Sequence, residues 1–198
     1  GDARSPMLVL IALAITPAAQ DAGDRPPGTK PAEVGRWLAA NVAWGTMATA
    51  SETRGGEPWG NVVSFADNCT GTPFFYLSKL DETSRDLDFD DTATLTVSEN
   101  ARGVGCDKVD PQDPTCARLS LHGRVRRTNS TEDRAARQAL FHKHPAMEHW
   151  PTNHGFSTYI MQPIHDVFVL SYYGGAHPIP VDDYLRLPAG PWCPGRAA

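Results

Sequence analysis

Ser84, Arg85 and Asp86 stand in a thirteen-residue segment, Lys79 to Asp91, between two strand-like runs. A connection of that kind can hold the phosphate of a cofactor, since a dianion needs arginine, lysine or clustered N–H donors. Here the bases are Lys79 and Arg85, set against Asp81, Glu82, Asp86, Asp88, Asp90 and Asp91. Carboxylates a few ångströms from an anion disfavour it unless screened, so the charge run reads as a solvated face. His142, His144, His149 and His154 fall within thirteen residues and invite a metal ion. Helical ligands need a spacing of three or four, whereas His142 and His144 point to different faces. No cysteine or carboxylate completes a set, and no metal is expected. Arg118, Arg124, Arg126 and Arg127 form a basic edge that is expected to pair with the protein's own acids. No G-x-S-x-G elbow is present, which removes a serine-hydrolase reading and leaves no catalytic residue to name.

Four cysteines lie in the chain, none in a C-x-x-C pair, so disulfides are favoured over zinc. Cys106 and Cys116 enclose nine residues with two Asp-Pro steps and are expected to staple one loop. Closing so short a loop contributes about 3 kcal/mol in the chain-entropy view. Cys69 and Cys193 then pair by default. Two sequons are present, Asn68-Cys69-Thr70 and Asn129-Ser130-Thr131, with Asn129 the better placed, between a strand and a helix. Leu8 to Ile15 is an apolar run too short to span a bilayer and is followed by small residues, the layout of a signal peptide over residues 1–22. These signs together point to a secretory-pathway protein. Net charge is −5, with both signs mixed along the chain, which argues against nucleic acid or anionic membrane as partner.

The elements that would carry these groups are short. Residues 23–31 read as a flexible Pro/Gly leader, 32–187 as one domain, and 188–198 as a Pro/Gly-rich tail. A helix is expected from Pro31, with Val34, Trp37 and Leu38 on one face. Strands are expected at 44–51, 59–66, 74–77, 92–98 and 117–127, and two more at 156–161 and 166–173. In 117–127, Leu119, Leu121 and Val125 share one face. Ser130 is taken as the cap of a helix that runs to about His144. Trp37, Trp44 and Trp59 are expected in the core. Many strands, few helices and no βαβ alternation predict a mainly β fold, a barrel with short helices at its rim.

The segments WGTMATAS (44–51), WGNVVSFAD (59–67), DPQDPTC (110–116), HPAMEHWP (144–151) and VFVLSYYGG (167–175) resemble the CREG family of secreted glycoproteins. The resemblance runs in order from Glu33 to Leu185. It implies an FMN-binding split barrel related to pyridoxamine-phosphate oxidases, usually a homodimer, acting in growth and differentiation through a protein partner or receptor without catalysis. It also places a glycan at Asn129 and a disulfide at Cys106 and Cys116. In flavin-binding relatives the second strand supplies an arginine and the crossover a Ser-Arg-Lys triplet; the matching positions here are Asn61 and Ser84-Arg85-Asp86. One base of three survives, so Asn61, Ser84 and Arg85 form a degenerate FMN site and no cofactor is expected. The competing readings are an FMN-dependent oxidoreductase and a haem-handling relative. The long loop Glu99 to Thr115 is the feature expected to fill the flavin cleft or to meet a partner.

Overall fold

The structure, a computed structural model, describes residues 25–106 and 108–193. Six antiparallel strands close a barrel: β1 (Trp44–Ala50), β2 (Pro58–Ala66), β3 (Phe74–Ser78), β4 (Thr92–Ser98), β5 (Arg118–Arg127) and β6 (Phe156–Leu170). Their order is β3-β2-β1-β4-β5-β6, β6 returns to β3, and β7 (His177–Ile179) extends the sheet beyond β6. Period-two sequence sets what faces inward. Met47, Leu95, Leu119 and Leu121 are fully buried, while their neighbours Thr46, Thr96 and Ser120 look outward. β2 meets β3 at only two register pairs, Phe65↔Phe75 and Ala66↔Phe74. The remainder of β2 has β1 on one side and no strand on the other, and there the barrel is split.

Helix α1 (Pro31–Asn41) plugs one end of the barrel. Gly35, Arg36, Ala39 and Ala40 are buried along with the Val34–Trp37–Leu38 face, so the helix is enclosed all round. Helix α2 (Glu82–Phe89) is the crossover between β3 and β4, and α3 (Ser130–Lys143) packs outside the barrel over Phe74 and Ile160 through Ala136 and Leu140. Helix α4 (Val181–Leu185) carries buried Tyr184.

The fold departs from the sequence expectations in definite places. Asn129, one residue ahead of the expected Ser130, caps α3: its Oδ1 accepts from the N–H groups of Thr131 (3.0 Å) and Glu132 (2.9 Å). Residues 156–173, read as two strands, contain one strand running through Pro163. A register shift at Gly123 lets β6 bend there, and Pro163 O would lie 2.4 Å from any Cβ at that glycine. Trp37 is fully buried, but Trp44 and Trp59 are 43% and 37% exposed, because both occupy outward positions of the barrel wall. Arg54 stacks on Trp59, its Cζ 3.6 Å from the ring centroid.

The leader expected over residues 1–22 lies outside the described residues. Arg25 to Lys30, read as flexible, are tied down: Arg25 pairs with Glu99, and Gly28 O accepts from Ser171 Oγ at 2.6 Å. The tail is held over residues 192–193, by Asn41 Nδ2 on Trp192 O (3.1 Å) and by a disulfide between Cys69 and Cys193. A second disulfide joins Cys106 to Cys116, with Cα atoms 5.6 Å apart.

At the end of α3, the His144 ring bonds Phe65 O at 3.0 Å. A carbonyl only accepts, so Nε2 carries the proton. Burial, with the Lys143 charge adding to it, holds His144 below the ordinary imidazole range. The unfolded chain therefore takes up a proton on acidification before the folded chain does. Stability is expected to fall as pH drops below about 6.5, the unfolded value for histidine. In His144→Gln, urea melts at pH 7.5 and 5.5 should lie closer together than in the parent chain.

Candidate functional site

The split between β2 and β3 opens into a cleft of about 560 Å³. Val62 and Ser64 of β2 face Tyr76 and Ser78 of β3 across it, and Leu80 and Asp81 lie on the crossover side. The HPAMEHWP segment makes the remaining wall with Met147, Trp150 and Pro151. Tyr76, Trp150 and Phe156 cluster there, with the Tyr76 ring centroid 4.8 Å from Phe156 and 6.1 Å from Trp150. Val62 and Leu80 are 61% and 62% exposed, so the cleft presents apolar surface to solvent.

The sequence-predicted anion candidates lie beside this cleft, and each is engaged with its own chain. Asn61 Nδ2 donates to Asp81 Oδ1 (3.2 Å) and Thr83 Oγ1 (2.8 Å), bridging β2 to the start of α2. Asp81 caps α2 by accepting from Thr83 N–H at 2.8 Å. Ser84, 1% exposed, donates its hydroxyl to Ser78 O (2.8 Å) and Asp81 O (3.0 Å). Arg85 is exposed, and its hydrogen bond among the described residues is a long one to Leu80 O, at 3.4 Å.

Asp86 carries the main revision. The charge run predicted a solvated acid, yet this side chain is fully buried. Its Oδ2 accepts from Thr49 Oγ1 at 2.8 Å and its Oδ1 from Glu52 N–H at 3.0 Å. The carboxylate clamps α2 onto the end of β1 and the turn that follows. Thr49, which bonds Asp86, and Thr83, which bonds Asn61, carried no signal that sequence reasoning could use. Among the other acids, Arg54 beside Glu82 holds that carboxyl below its usual range.

Three arginines of the basic edge pair with acids as expected, Arg124 with Asp91, Arg126 with Glu132 and Arg127 with Asp88, whereas Arg118 donates to the carbonyl of Gln112 at 3.1 Å. The four histidines of the 142–154 segment do not assemble, and among the described residues no cluster of three or more histidine, cysteine or acidic groups could hold a metal. The Glu99–Thr115 loop leaves the Ser98 end of β4, whereas α2 enters at the Thr92 end. A strand of seven residues thus separates the loop from the crossover of the same chain. Asn68 and Asn129 are both exposed. Asn68 sits in a left-handed turn (φ 47°) held by Asp67, whose carboxylate accepts from Cys69 N–H (3.1 Å) and Gly71 N–H (3.0 Å).

Comparisons with known proteins follow the same line. Residues 26–186 match the family described as CREG, beta-barrel. Protein CREG1 of Mus musculus is 36% identical over 200 aligned residues, covering 90% of each chain. Protein CREG1 of Gallus gallus is 34% identical over 180 residues, covering 86% of this chain and 93% of that one. Among solved structures, a heme binding protein from Mycobacterium smegmatis superposes with a TM-score of 0.66 at 26% identity. The match covers 82% of this chain and 61% of the mycobacterial one.

Proposed function

The chain belongs to the CREG β-barrel family, and from that premise we propose that it is a non-enzymatic, secreted or endolysosomal glycoprotein that works by binding a protein partner. One observation carries the reading. Asn61 and Ser84, two of the three donors that would hold a flavin phosphate, are spent on the chain itself, the acid in place of the third base is a buried clamp, and exposed Arg85 is the one base of the triplet left for an anion at the crossover. The residues at the crossover do not fit FMN. Two disulfides and two exposed sequon asparagines support passage through the secretory pathway.

The outward face of β1, β4 and β5 supports a homodimer. Thr46, Ala48, Thr94, Thr96 and Ser120 make its middle small and uncharged, between Arg118 and Arg124 at its two ends, and Phe168 of β6 adds 42% exposed apolar surface opposite Ser120. Sedimentation equilibrium is expected to give a dimer for the parent chain and a monomer for Thr96→Glu, which places a charge mid-face. A parent chain that sediments as a monomer would remove this part of the proposal.

Similarity to the mycobacterial heme binding protein favours a second reading, haem capture. His122 and His165, with ring centroids 6.3 Å apart on the outer wall, offer a pair of ligands for it. Titration with haem separates the two: a saturating Soret shift lost in His165→Ala supports haem, and an unshifted band supports the scaffold.

A further inference from the structure

A second cleft, of about 570 Å³, opens at the far end of α2. Asp88, Asp90 and Asp91 line one wall, Arg124, Arg126 and Arg127 the other. Arg127 crosses to Asp88 and Arg124 to Asp91, while Arg126 is forked onto Glu132 with both bonds at 2.8 Å. The two crossing pairs are well exposed and contribute little, so an incoming ligand can replace them. Buried Leu87 and Val125 make the floor, and Phe89, 56% exposed, presents an uncovered ring at the rim. Tyr159 also lines the cleft. It is 2% exposed, and among the described residues its hydroxyl closes no hydrogen bond, Ser84 lying beside it.

The chemistry of this lining selects its ligand. Three carboxylates face three guanidiniums, so the formal charge of the walls sums to zero. An anion meets the aspartates and a cation meets the arginines. A neutral molecule rich in hydroxyls finds acceptors on one wall, donors on the other, and a ring to stack its C–H face against. That description fits a saccharide, and the volume lies within the range of small-molecule sites.

Asn129 stands two residues beyond Arg127, exposed, at the head of α3. Its N–H donates to Glu132 Oε2 at 2.9 Å, the same oxygen that Arg126 holds. Its Oδ1 is used by the helix cap, while Nδ2, the atom a glycan takes, has no part in that cap. We infer that the cleft is a saccharide site and that the first sugars of a glycan on Asn129 lie in it. The inference rests on Asn129 being glycosylated. Tethering gives the sugar an effective concentration in the millimolar range, enough to fill a weak site. A glycan seated there is shielded from glycosidases and from lectin receptors.

The test uses the chain secreted from glycosylating cells, with the mass of the Asn129 peptide reporting occupancy. Release by peptide N-glycosidase from the native protein is expected to be about tenfold faster in Phe89→Ala than in the parent, because the stacking ring is lost. Thr131→Ala removes the sequon and keeps the Asn129 cap; hydrogen exchange over 87–91 and 124–127 is expected to rise in it. An occupied Asn129 whose glycan leaves at the same rate in both chains, with exchange unchanged, overturns the inference. A peptide without sugar overturns its premise, and the mass alone reveals that case.

Discussion

Asp86→Lys, which restores the lysine of the flavin-binding triplet, is expected to cost more than about 4 kcal/mol and to create no flavin site. The wild-type carboxylate is fully buried and takes one hydrogen bond from Thr49 and one from the backbone of Glu52. Bonds to a charged acceptor contribute about 1.5–3 kcal/mol each, and losing them strands two buried donors. An ammonium in their place adds an unpaired buried charge facing those donors. Asp86→Ala, without that added charge, should cost about 3 kcal/mol. Native stability is about 5–15 kcal/mol, so urea midpoints resolve both effects. A lysine variant within about 1 kcal/mol of the parent that turns yellow with FMN would show the crossover to be a cofactor site held back by one residue.

The second large effect is expected at Arg36. Its guanidinium, buried inside the barrel-end plug, donates to Tyr184 O (3.0 Å), Leu187 O (2.7 Å) and Cys69 O (2.5 Å). One side chain thus joins α1, the 67–71 turn and the C-terminal segment. Arg36→Ala leaves those carbonyls without a donor and opens a cavity beside Tyr184, a loss of about 3–5 kcal/mol. The Cys69–Cys193 disulfide keeps the chain end tethered in the variant. Fast hydrogen exchange should therefore appear over residues 180–193 while β4 and β5 stay protected. Unchanged exchange in that segment would mean the disulfide alone holds it.

Both residues show where sequence reading reaches and where it stops. Alternation in TATLTVS and ARLSLHGRV marks strands because one face of each must be buried, and both strands form the barrel wall. The CREG motifs carried the family and the split barrel. Periodicity does not say which side of the wall a tryptophan faces, and Trp44 and Trp59, expected inside, both look outward. It also broke β6 at Pro163, since the register shift at Gly123 that accommodates the bend belongs to the neighbouring strand. Asp86 was illegible for a related reason. Six acids in thirteen residues look alike in sequence, and only α2 packing against β1 separates the buried one from the five half-buried or exposed ones. β7, three residues within a Pro/Gly-rich stretch, carries too little pattern to be seen beforehand.

The most direct test of the account is the visible spectrum of the purified protein before and after addition of FMN and desalting. The predicted result is a colourless protein that retains no flavin band, as expected when Asn61, Ser84 and Asp86 serve the fold. A band that survives desalting and falls away in Arg85→Ala would contradict it.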